Sequence, residues 1–133
     1  MLKDGRVATR LPAQDLERAR AFYSEKLGLE PSEERPGGLL YKCQGGAFAL
    51  FKSAGASSGT FTQMGWEVDD LAATVAELRS RGVVFEHVDV PGLKTVDDIA
   101  TVDGNYPSKG SGEKAAWFRD SEGNMLGIGQ PIP

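Results

Sequence analysis

The chain has 133 residues and a mass of 14.2 kDa, enough for one domain with a real core and too short for two ordinary ones. It is 40% hydrophobic and 26% charged, the balance of a folded globular protein, and its net charge of −4 (15 Lys and Arg against 19 Asp and Glu) argues against a general nucleic-acid coat. One Cys excludes an internal disulfide framework, one His excludes a metal site needing two histidines from one chain, and no apolar run reaches the ~18 residues of a membrane span.

The opening MLKDGRVATR lacks the apolar core of a signal peptide, so the cytoplasm is the expected location. Val7, Thr9 and Leu11 alternate with Ala8 and Arg10, the period of a half-buried strand. Pro12 either stops that strand or confines it to a sheet edge. Asp15 is a candidate N-cap, and Leu16, Ala19, Phe22, Tyr23 and Leu27 follow as a helical stripe that Gly28 can close in a left-handed turn. Leu39 to Cys43 and Ala47 to Lys52 read as strands of a hairpin joined by Gln44-Gly45-Gly46, and Ser53 to Gly59 reads as a linker.

The order then begins again. Phe61 to Val68 reads as a strand with Met64, Trp66 and Val68 on one face. Asp69-Asp70 offers a second N-cap, Leu71, Val75 and Leu78 a second helical stripe, and Gly82 its close. Val83 to Val90, Lys114 to Arg119 and Asn124 to Gln130 read as strands, the last two joined by the turn sequence Asp120-Ser121-Glu122-Gly123-Asn124. Asp15-Leu16 matches Asp70-Leu71 at an offset of 55, and Gly28 matches Gly82 at an offset of 54, so the chain reads as an internal duplication. Pro91 to Gly112 breaks the symmetry as a long Gly- and Pro-punctuated loop, a place for a functional lid or a mobile connection.

LPAQDLERARAFYSEKLGLEP (Leu11 to Pro31), WEVDDLAATVAELRSRGV (Trp66 to Val83) and FRDSEGNMLGIGQ (Phe118 to Gln130) resemble, in order and spacing, the vicinal oxygen chelate superfamily of glyoxalase I, bleomycin-resistance proteins and extradiol dioxygenases. The resemblance covers roughly half the chain. It implies an α+β fold: two βαβββ modules forming a curved mixed sheet around a concave cavity, with the helices on the outer face. A single domain over residues 1–133 would hold module one at about 5–53 and module two at about 60–130. The resemblance also implies homodimers.

The same resemblance locates the metal ligands that enzymes of this superfamily carry as His or Glu. One lies seven residues before each helix-capping Asp, which is Ala8 in module one and Gln63 in module two. Another falls at Ala49 and the last, in the closing hairpin, at Gly127. Three of these residues have no side-chain donor, and a neutral amide is a weak ligand for Zn, Ni or Fe. No metal and no other cofactor is expected.

Strand parity puts Val7, Thr9, Leu11, Phe48, Leu50, Met64, Trp66, Val68, Leu126 and Ile128 under the helices. The opposite face carries Ala8, Arg10, Ala49, Phe51, Gln63, Gly65, Glu67, Met125, Gly127 and Gly129, a mixture of small, aromatic and polar residues suited to a small-molecule cavity or to a plain concave sheet or dimer interface. Arg10 is placed either to hold an anionic ligand bidentately or to pair with Glu67. Trp117 belongs either to the pocket or to the core, and Tyr106 either closes over a ligand or stands exposed. Candidate ligand-binding residues are therefore Arg10, Phe51, Gln63, Glu67, Tyr106, Trp117 and Met125, with no catalytic residue assigned. His87 reads as a structural or surface imidazole and Cys43 as an ordinary buried thiol.

The expected function is metal-free binding of a small aromatic or amphipathic molecule, with neither nucleic acid nor membrane as partner. The alternative is a glyoxalase-like lyase or isomerase with atypical or no metal ligands, drawing on His87, Glu67, Glu113 or Arg10. A ligand-free interaction module is the third possibility, since one fold hosts many functions.

Overall fold

The computed structural model describes residues 1–104 and 110–133. After a short 3-10 turn at Leu2–Asp4, module one runs β1 (Thr9–Ala13), α1 (Leu16–Leu27), β2 (Glu33–Arg35), β3 (Gly38–Cys43) and β4 (Gly46–Lys52). Module two runs β5 (Met64–Glu67), α2 (Leu71–Ser80), the small hairpin β6 (Asp89–Val90) and β7 (Leu93–Lys94), then β8 (Ala100–Asp103), β9 (Gly112–Arg119) and β10 (Met125–Ile132). The sheets repeat one plan: β1-β4-β3-β2 in module one and β5-β10-β9-β8 in module two. In each, the first strand lies parallel to the last and the other pairs are antiparallel. Among the described residues no strand ladder joins the two sheets.

The duplicated sequence signals act as duplicated local chemistry. Asp15 accepts from the Arg18 N–H at 3.0 Å and Asp70 from the Ala73 N–H at 3.0 Å, so each helix begins on the same capping bond. Gly28 closes α1 at φ 69°, a left-handed conformation that costs glycine little. Ala19 and Tyr23 of α1 and Leu71, Val75 and Leu78 of α2 are buried against the sheets.

The core crosses from one module to the other as a chain of rings. Tyr23, Tyr41 and Phe48 lie within 5.8 Å of one another, ring centre to ring centre. Phe48 meets Trp66 edge-on at 5.8 Å, Trp66 stacks on Phe118 at 6.3 Å, and Phe118 meets Phe85 at 5.8 Å. Leu11, Leu50, Leu126 and Ile128 complete this helix-side face, as their parity predicts.

Several expectations need correction. The first strand starts at Thr9 and continues through Pro12 to Ala13, and Val7 is 101% exposed and not under a helix. Pro12 is tolerated because β1 is an edge strand that, among the described residues, pairs only with β4. The strand expected from Phe61 starts at Met64, leaving Phe61 exposed. Val83 to Val90 is not one strand: Phe85 makes a single bridge to Phe118, and only Asp89 and Val90 enter a ladder. The expected loop from Pro91 to Gly112 contains β7 and the sheet-edge strand β8. Between them Asp97 (φ 53°) and Asp98 (φ 69°) form the paired left-handed positions of a tight turn closed by the Val96–Ile99 bridge.

Candidate functional site

The turn between β9 and β10 ties the modules together. The Asp120 carboxylate accepts from the N–H groups of Glu122 (2.8 Å) and Asn124 (2.9 Å), which folds the turn on itself. Its other oxygen accepts from the Tyr23 hydroxyl at 2.6 Å, reaching into α1 of the other module. Burial and the adjoining Asp120 charge push the Tyr23 phenol well above its usual range, so it stays a donor. Glu122 accepts from the Asp15 N–H (3.0 Å) and from two nitrogens of Arg18 (2.8 and 3.0 Å) at the start of α1. Burial pushes the Glu122 carboxyl up, but those hydrogen bonds and that of Ser121 outweigh it and hold the group below its ordinary value. Asn124, fully buried, donates to the Pro12 carbonyl at 3.0 Å and to Asp120 at 2.9 Å. Sequence reasoning read these residues as a turn and missed the clasp, whose partners lie about a hundred residues away.

Gln63 belongs to this network. Its amide nitrogen donates to Asn124 Oδ1 at 3.0 Å, and its oxygen accepts from Ser57 Oγ at 2.6 Å and from the Met125 N–H at 3.1 Å. Of the four positions where the resemblance puts metal ligands, Ala8, Ala49 and Gly127 thus offer no donor atom, and Gln63 offers an amide whose oxygen already holds two hydrogens. This donor set does not fit a divalent ion. Among the described residues no group of three or more His, Cys, Asp or Glu side chains converges in a way that could hold one.

The inner face of module two carries a cleft of about 300 Å³. Its floor is glycine: Gly65 pairs with Gly127, and Gly129 follows two residues on. Trp117 is the cross-strand partner of Gly127, which settles the parity that the sequence left open: its indole lies on this inner face. A Cβ at Gly127 would stand 3.4 Å from the indole, so glycine lets the ring lie close over the strand. Glu67 and the buried Glu113 border the same cleft. A larger groove of about 650 Å³ opens between the β3–β4 hairpin and β5, bordered by Phe48, Met64, Trp66 and Glu67.

The remaining predicted residues are dispersed. Arg10 and Phe51 lie on the inner face of module one, with the guanidinium carbon 5.8 Å from the ring centre; Arg10 forms none of the described ion pairs, with Glu67 or any other carboxylate. Met125 pairs across the hairpin with Arg119 and borders none of these clefts. Tyr106 lies outside the described residues. His87 is 85% exposed, pairs with Asp98 at 2.9 Å and borders neither cleft. Cys43 is free and half-buried at the rim of the larger groove.

Two βαβββ modules, each with one helix outside and a hollow sheet face inside, define a class of paired-module cavity proteins. The model of the Glyoxalase/Bleomycin resistance protein/Dioxygenase superfamily matches residues 5–128, and the chain belongs to that superfamily. No curated protein matches it. Solved structures share the fold. A glyoxalase/bleomycin resistance protein/dioxygenase from Alicyclobacillus acidocaldarius is 17% identical over 98% of this chain and 93% of its own, with a TM-score of 0.72. TnmS3, an antibiotic binding protein from Streptomyces sp. CB03234, is 24% identical over 96% and 97%, at 0.66. A lactoylglutathione lyase from Agrobacterium tumefaciens is 21% identical over 96% and 93%, at 0.63. No helix of the described residues is long and apolar enough to cross a membrane.

Proposed function

We propose that this protein binds a small molecule with a flat apolar body on the inner face of module two, without a resident metal ion. The observation that carries the reading is the substitution of space for ligand chemistry at Gly127. Where the superfamily's enzymes carry a carboxylate, this chain has a glycine floor with the Trp117 indole lying over it. An aromatic wall over a backbone floor suits stacking, with Glu67 and Glu113 as polar groups at the rim. The shared fold of an antibiotic binding protein is consistent with such a role. The working form is a homodimer in the cytoplasm, with nucleic acid not a partner. The exposed Met1, Leu2 and Val7 offer apolar surface to a second copy, and the acidic balance and lone free thiol suit the rest.

A panel of aromatic small molecules titrated against tryptophan fluorescence tests the reading. The expected result is saturable quenching by a subset, weakened at least about tenfold in Trp117→Ala, as expected for loss of a stacking partner. Equal binding by Trp117→Ala would overturn it. Lyase or isomerase chemistry is the second reading, favoured by the two carboxylates bordering one cleft. It requires turnover of an aldehyde or thioester substrate that Glu113→Gln abolishes while the thermal midpoint holds.

A further inference from the structure

The inner face of module one is built from different chemistry. Arg10, Ala49, Leu40 and Glu33 form one row of cross-strand partners across all four strands, and Phe51 and Arg35 stand in the next row. Together they border a cleft of about 450 Å³. Arg35 is engaged by Glu33 at 3.5 Å. Arg10 is not engaged by any described carboxylate: its guanidinium lies against the Phe51 ring, a contact that uses none of its five N–H donors in hydrogen bonding. A cation held in place by a ring, with its donors unspent and apolar floor beside it, is half of an ion pair with a flat partner.

We propose that this cleft is a second binding site, specific for an anion carried on a flat apolar body, the chemistry of an aromatic carboxylate or sulfonate. The anionic group takes the N–H edge of Arg10, and the body lies along Ala49 and Leu40 beside Phe51. The duplication supplies the contrast. The residue matching Arg10 in module two is Gly65, and the cleft there is bordered by the carboxylates of Glu67 and Glu113. The cation that would pair with an anion therefore stands in the module-one row, and the matching row of module two has glycine in its place. The site is independent of the module-two reading, and either can fail alone.

The test compares 2-naphthoate with its neutral analogue 2-naphthamide on the full chain, by calorimetry and by amide chemical shifts. Naphthoate is expected to bind about tenfold or more tightly than the amide, the usual range for a charge-assisted hydrogen-bonded pair. Arg10→Gln should reduce naphthoate to the level of the amide in the shifts read at Leu40, Ala49 and Phe51, and Arg10→Lys should restore part of the difference. Shifts should centre on Arg10, Leu40, Ala49 and Phe51. Arg10 is exposed, so the variants should keep the wild-type thermal midpoint. Equal affinity for the two probes, no saturable binding of either at millimolar concentration, an unaffected Arg10→Gln variant, or shifts centred on Trp117 would each overturn the proposal.

Discussion

Asn124→Ala should destabilise the protein by about 3 kcal/mol, roughly 1 kcal/mol for each of three lost side-chain hydrogen bonds. The three differ in consequence. Asp120 keeps its bond from the Tyr23 hydroxyl, so its carboxylate is only partly stranded. The Pro12 carbonyl and the Gln63 amide N–H lose their described partners beside a site of zero exposure, where an unsatisfied polar group costs most. At about 2.1 cal/mol/K per residue, a chain of 133 residues has an unfolding entropy near 0.28 kcal/mol/K, so the thermal midpoint should fall by about 11 °C. Urea melts by circular dichroism give the free energy, and an unchanged slope shows that the variant and the unaltered protein unfold from the same compact state. Gln63→Ala alone, and the double variant, isolate the Gln63–Asn124 bond as a coupling energy of about 0.5–1.5 kcal/mol. A loss below about 1 kcal/mol for Asn124→Ala, or no coupling with Gln63, would refute the clasp as a stabilising joint between the modules.

Other outcomes follow from single groups. Glu122 is held below its ordinary value of 4.5, so the stability it contributes is fully present above that pH and is lost as pH falls through the lower folded value. Glu122→Gln should lower the neutral midpoint and flatten the acid limb, read from melts across pH 2 to 7. Tyr41 is buried with a hydroxyl that has no hydrogen-bond partner among the described residues, so Tyr41→Phe should be neutral or stabilising by up to about 1 kcal/mol. Burial pushes its phenol up to about 12, and the stability it carries is present below its ordinary value of 10.0 and lost toward 12. Tyr41→Phe should therefore unfold later in alkali. Gly28→Ala, at φ 69° with the Arg81 guanidinium 3.3 Å from the new methyl, should cost about 1–2 kcal/mol in a urea melt.

The helices were legible because each carries its own start signal and its own stripe: Asp15 with Ala19 and Tyr23, Asp70 with Val75 and Leu78. The strands that escaped reading lie at sheet edges. Glu33-Glu34-Arg35 is exposed throughout, so β2 has no alternation to read, and β8 is four residues set among glycines and turns. Val7 continued the parity of Leu11 on paper, but the ladder begins after it. Trp117 could not be assigned a face because its parity depends on pairing with Gly127, a relation that no local pattern contains. Position makes Gln63 a candidate ligand-binding residue, but no local pattern shows that its amide donates to Asn124, 61 residues away. Local chemistry was thus written in the sequence, whereas the site depended on register and on long-range polar partners.

Among the described residues, the seam between the two sheets contains rings and a polar clasp but no strand pairing. Such a joint does not register which backbone supplies each side. Phe48 meets a Trp66 edge-on and Tyr23 donates to an Asp120 equally well whether these belong to the same molecule or to a neighbour. The connecting stretch, residues 53–63, is the only covalent reason for the present arrangement. Two copies could therefore exchange modules across identical contacts, and the halves expressed as separate chains would meet surfaces already shaped to rejoin them. The repeated plan of the fold thus leaves a reversible line of division.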